Sequence, residues 1–162
     1  MLSKWTIYQS GLLLCLGLIF YLSELFSMNL AAGPENSPML ASIVTSIFLI
    51  SIVAILYLFS YFQWKKKPGF LQHPIWRKLP IPLLILALLS VIAFLTLGVF
   101  GPLAEWTMQY RTLLYILIVY FISLLFFFVL SVVYKKIDAE KSLLNQTFMW
   151  TSLILIVGIF MV

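Results

Sequence analysis

A chain of 162 residues that is 64% hydrophobic and only 9% charged has too little polar surface to coat a water-soluble domain, for which about 45–50% apolar and about 25% charged is typical. Soluble enzymes and nucleic-acid-binding modules are therefore excluded. The net charge of +5 lies beside apolar runs, where anionic lipid headgroups are the natural partner and nucleic acid is not. The composition describes a single integral membrane domain over residues 1–162, an all-α polytopic helical bundle.

The first expected span covers residues 5–24. Twenty helical residues rise about 30 Å, the thickness of the hydrocarbon core. Lys4 precedes it, and Trp5, Tyr8 and Tyr21 fit interfacial aromatic belts. A cleaved signal peptide is the rival, because Lys4 and residues 12–20 imitate its basic and apolar regions. The apolar run is long for that role and Asn29-Leu30-Ala31-Ala32 is a poor cleavage site, so a retained span is expected. The solitary Cys15 cannot form an intrachain disulfide or a multi-cysteine metal site. Leu13 and Leu14 stand where a lipid-attachment motif requires small residues. Residues 25–39 read as a loop broken by Gly33, Pro34 and Pro38, with Glu24 and Glu35 but no Lys or Arg.

The second span, residues 40–64, contains Ser42, Thr45, Ser46 and Ser51. Ala41/Thr45 and Ser42/Ser46 are pairs of small residues four apart, a spacing that lets helices approach closely. The competing account is that these hydroxyls bond back to their own helix. Residues 65–82 follow, a hinge with five of the ten Lys and Arg, the only His and four of the seven Pro. Lys65, Lys66, Lys67, Arg77 and Lys78 are candidate headgroup contacts, each contributing about 1 kcal/mol near an anionic surface. Phe70, Leu71, Ile75 and Trp76 interleave with them. This spacing suits a bent loop lying in the headgroup layer, apolar groups down and cations up. His73 reads as an interfacial filler, not a ligand or switch.

The third span is expected over residues 81–100, with Pro82 in its first turn and Gly101-Pro102 ending it. Ala87, Ser90 and Ala93 give it a slim side, which makes Ala87 and Ser90 packing candidates. A loop over residues 101–110 carries Glu105 and Trp106, with Arg111 beyond. The fourth span, residues 112–134, is the most uniformly apolar. Its Phe126-Phe127-Phe128 run, bulky all round, is expected to face lipid. After a short turn of mixed charge comes residues 143–162, whose first turns hold Asn145, Gln146 and Thr147. Those polar turns are expected to face neighbouring helices, adding Asn145 and Gln146 to the packing candidates. Were the helix to start only at Met149, it would be too short to cross and four spans would remain. Asn145-Gln146-Thr147 also fits a glycosylation acceptor, discounted because of its place at the inner membrane edge.

The amino end, the hinge and the last link hold every Lys and Arg except Arg111. With five spans, the positive-inside rule puts the amino end inside and the carboxyl end outside. Composition, rich in Ile, Leu and Phe and in Lys over Arg, points to a bacterial cell membrane.

No ionisable residue falls near the centre of a span, where intramembrane chemistry needs one. Phosphate-loop, HExxH, GxSxG and potassium-filter sequences are absent. No cofactor or metal is expected from one Cys and one His, and no catalytic residue stands out. Three function classes remain. The first is an accessory, assembly or regulatory subunit without turnover, touching other membrane subunits or its own copies through helix faces, and anionic lipid through the hinge. The alternative is a small oligomeric transporter or channel lined by Ser, Thr and Tyr. A second alternative is a lipid-handling enzyme using Glu24, Glu105 or His73.

Overall fold

Inside a bilayer, every backbone N–H and C=O must find a partner within the protein, and helices achieve this span by span. The computed structural model describes residues 4–32, 38–67, 69–136 and 140–161, with side chains for all of these except 26–32, 38–41 and 140–141. The elements are α1 (Lys4–Ala32), α2 (Pro38–Lys66), α3 (Ile75–Lys78), α4 (Pro80–Val99), α5 (Leu103–Gln109), α6 (Arg111–Val133) and α7 (Glu140–Met161). Among the described residues, five stretches are helical and apolar over a length that crosses a membrane: Lys4–Leu25, Ser42–Lys66, Pro80–Val99, Arg111–Val133 and Ser142–Met161. The last segment is thus long enough to span, which favours five crossings over four.

Three boundaries differ from expectation. α1 runs on to Ala32, through the first part of the expected loop; residues 33–37 lie outside the described set. α1 and α2 have 29 residues each, about 43 Å of helix at 1.5 Å per residue, so their ends reach beyond the hydrocarbon. The hinge and the 101–110 loop each hold a short helix, α3 and α5, where the sequence suggested irregular chain. The turn between α6 and α7 falls partly in residues 137–139, which are outside the described set.

α2, α6 and α7 pack on one another to form the centre, α1 lies along α2, and α4 lies along α6. One buried cluster joins Ile52 and Val53 of α2 to Ile122 and Phe126 of α6. A second joins Val129, Leu130 and Val133 of α6 to Leu143 and Leu144 of α7 and to Leu71 and Trp76 of the hinge. The expectation that the Phe126-Phe127-Phe128 run, and with it α6, faces lipid is therefore overturned at Phe126, while Phe127 and Phe128 are half-buried. Phe126, Leu130 and Ser131 are wholly buried. Lipid tails are as apolar as side chains, so a bulky apolar residue is drawn inward by close packing and not by exclusion from solvent. Phe126 fills space where α6 meets α2. α4 shows the converse, since beyond Pro80 at its start none of its residues is buried inside the chain.

Two glycines permit the tight turns. Gly69 has φ +93°, in the left-handed region open to glycine. At Gly101 a Cβ would sit 2.9 Å from the Leu97 carbonyl oxygen, too close for any other residue to end α4 in this way.

Candidate functional site

The basic end is organised by the hinge. Backbone bonds from Phe70 N–H to Lys67 O (3.0 Å) and from Gln72 N–H to Gly69 O (3.1 Å) fold it into consecutive turns before α3. These turns aim Leu71 and Trp76 into the bundle, where they are 1% and 7% exposed. The Trp76 indole donates from Nε1 to the Phe70 carbonyl at 2.8 Å. Its ring stacks on Phe127 of α6, with centroids 6.2 Å apart. Tyr134, just past α6, donates from its hydroxyl to the Gln72 carbonyl at 3.1 Å. The expected arrangement, with hinge apolar groups dipping into the headgroup layer, therefore fails for Leu71 and Trp76. A buried indole N–H needs an acceptor, and the hinge backbone supplies one that lipid tails cannot. Ile75 does remain half exposed.

Around this plug the five candidate headgroup contacts, Lys65, Lys66, Lys67, Arg77 and Lys78, are all exposed. The Lys65 ammonium lies 4.6 Å from the Trp64 ring centroid and 5.6 Å from that of Tyr61, a cation–π arrangement. Lys66 Nζ donates to Thr6 Oγ1 of α1 at 3.0 Å. His73 is exposed, and its Nδ1 accepts from the Ile75 N–H at 3.3 Å, at the start of α3.

The packing candidates separate. Ser46 is buried, but its hydroxyl donates to the Ser42 carbonyl of its own helix at 2.7 Å. Ser42 is half-buried and Thr45 exposed; the Ala41 side chain is outside the described set. Ser90 of α4 meets the Tyr120 hydroxyl of α6 at 2.7 Å, with Ala87 half-buried one turn earlier. Asn145 of α7 accepts at Oδ1 from the Tyr57 hydroxyl of α2 at 2.8 Å, and Gln146 is half-buried.

The sequence reading missed the contact between α1 and α2. Gln9 Nε2 donates to Gln63 Oε1 at 3.0 Å, and Gln9 is 8% exposed. Trp5 and Tyr8 pack against Phe62 beside it, with centroids 5.9 and 5.6 Å away. The only available signal was a glutamine in each of two otherwise apolar runs.

The opposite end is more open. A cavity of about 440 Å³ is lined by Thr107 and Met108 of α5 and by Arg111, Leu114 and Tyr115 of α6. Tyr115 stacks on Phe20 of α1 at 5.2 Å and tilts against Phe48 of α2 at 5.8 Å. Farther along α7, the hydroxyls of Thr151 and Ser152 are buried without a hydrogen-bond partner. Among the described residues, no three His, Cys, Asp or Glu converge as a metal site would require.

Fold and site together define a small membrane helical bundle with five candidate spans, closed at its basic end by its own hinge. Compared with protein-family models, curated proteins and solved structures, the chain matches none.

Proposed function

We propose that this protein is an accessory, assembly or regulatory subunit of a membrane complex, acting through helix–helix and lipid contacts and not through turnover. The observation that carries this reading is the fate of the polar side chains in the spans. Gln9 pairs with Gln63, Tyr57 with Asn145 and Ser90 with Tyr120. Ser10, Ser46, Ser51, Ser131 and Thr147 bond back to their own helices. A conduit for polar solutes needs such groups turned toward a path, where they replace lost hydration. Here three pairs fasten one helix to another, and the other five hydroxyls close on their own helix backbone.

The basic end then faces the cytoplasm of a bacterial cell, where Lys65, Lys66, Lys67, Arg77 and Lys78 meet anionic headgroups. Arg111 stands at the other end. A reporter fused at Gly69 should behave as cytoplasmic and one after Val162 as external; the same side for both would sink this layout. Partner binding is tested by purification in mild detergent. The reading expects a stoichiometric membrane subunit or a discrete homo-oligomer to co-elute. A bare monomer in every mild detergent tried would count against it.

One observation favours the oligomeric transporter: the partnerless hydroxyls of Thr151 and Ser152. Thr151, however, is wholly enclosed within a single chain, which is the wrong place to line a pore between subunits.

A further inference from the structure

The cavity at the open end has a mixed lining. Arg111 supplies a guanidinium, Thr107 and Tyr115 supply hydroxyls, and Met108 and Leu114 supply an apolar wall. Its volume of about 440 Å³ is in the range of about 300–1,000 Å³ usual for small-ligand sites. Arg111 and Tyr115 are four residues apart and share a face of α6. Phe20 and Glu24 are likewise four apart on α1, and Phe20 is stacked on Tyr115 at 5.2 Å. α1 and α6, the first and fourth spans, run in opposite directions, so one turn beyond this stacked pair Glu24 and Arg111 stand at the same level. The cavity therefore has a cation, Arg111, in its lining and an anion, Glu24, at the same level on the helix whose Phe20 stacks on Tyr115, at the depth where a helix emerges from lipid.

That pairing decides the ligand class. With Glu24 alongside and Glu105 on α5 nearby in sequence, the described charges at this end do not sum to a positive field. A purely anionic headgroup would gain Arg111 but meet carboxylate repulsion. A headgroup with both phosphate and ammonium satisfies both signs. Carboxylate and hydroxyl oxygens accept N–H bonds, which a quaternary ammonium cannot donate. We propose that this cavity holds the headgroup of a zwitterionic phospholipid with a primary ammonium, drawn from the leaflet opposite the basic hinge. Arg111 takes the phosphate, Glu24 the ammonium, and Met108 and Leu114 the start of an acyl chain. Thr107 donates its hydroxyl proton to the Ala104 carbonyl at 3.0 Å, so its oxygen lone pairs are turned to accepting. Arg111 and Glu24 already hold contacts within the chain. A guanidinium has five N–H donors and a carboxylate two oxygens, so each can serve a second partner.

The test is native mass spectrometry of the full chain in non-ionic detergent, titrated with phosphatidylethanolamine, phosphatidylcholine or phosphatidylglycerol of identical acyl chains. One phosphatidylethanolamine should be retained about tenfold more tightly than either competitor, the scale of one charge-assisted hydrogen bond. Arg111→Gln and Glu24→Gln should each remove that preference. Neutralising Lys65, Lys66, Lys67, Arg77 and Lys78 together should leave it intact. Should either Gln variant fail to fold, Leu114→Trp fills the cavity from a half-exposed position on α6; loss of the tight lipid there supports the proposal, and its retention overturns it. Equal retention of phosphatidylcholine, equal or tighter retention of phosphatidylglycerol, or a preference that vanishes only with the hinge substitutions would each overturn it.

Discussion

At the basic end Leu71 and Trp76 turn into the bundle and are almost wholly buried, while at the opposite end Phe100 and Met108 stand 87% and 84% exposed. Both ends are rich in apolar side chains, so hydrophobicity does not account for the contrast. The difference is in how the chain turns. At the basic end, Gly69 lets the hinge fold back. Its carbonyls then receive the Trp76 indole and the Tyr134 hydroxyl, and its apolar groups join α6 and α7. At the other end, α4 stops at Gly101, and α5, with no buried residue, leads into α6 across a cavity. One end is closed by the protein itself and presents fixed charge. The other leaves its apolar side chains uncovered by the chain.

Removing the plug should have the largest effect on this contrast. Trp76→Ala leaves a void against Phe127, Val129 and Val133, and a change of that kind in a core costs about 3–5 kcal/mol. Unfolding midpoints in a denaturing detergent should fall, and protease should begin to cut within residues 67–79. A variant as stable and as resistant as the parent would show that the hinge is not held by its indole.

A smaller effect is expected from the charges around the plug. Replacing Lys65, Lys66, Lys67, Arg77 or Lys78 by Gln should cost about 1 kcal/mol of anionic-lipid association each. The loss should shrink as salt is raised, because exposed charges are screened over about 8–10 Å at physiological ionic strength. Retention of phosphatidylglycerol indifferent to both substitution and salt would remove the lipid role of this end. Smallest is the amide pair between α1 and α2. A double-mutant cycle on Gln9→Leu and Gln63→Leu should give a coupling of about 0.6 kcal/mol, typical of hydrogen bonds between membrane helices. Zero coupling would mean that α1 is held by Trp5, Tyr8 and Phe62 alone.

The spans were legible because lipid imposes a length and an apolarity that few residues can disguise. Lys65 to Lys67, the hinge prolines and Gly101-Pro102 marked their ends. Which helix would be central was not legible. α6 and α4 are both strongly apolar, yet seven residues of α6 are buried and, of α4, only Pro80. In water, a polar face would have distinguished them; in lipid no such face is required. The Phe126-Phe127-Phe128 run looked lipid-facing for the same reason. The candidate sites divide along similar lines. Ser90 and Asn145 could be picked out as polar residues in apolar runs, but their partners Tyr120 and Tyr57 depend on helix order and register. Trp76 looked like an interfacial aromatic because its neighbours are basic, and only the fold of the hinge turns it inward.

Apart from Thr151 and Ser152, the buried polar groups of the spans are spent on contacts within the bundle, and solute flux tests their role most directly. Purified protein reconstituted in liposomes should show no saturable flux of ions or polar solutes above that of protein-free liposomes. Saturable flux that is lost in Thr45→Val or Ser46→Ala would contradict the account and make the second helix a transport path.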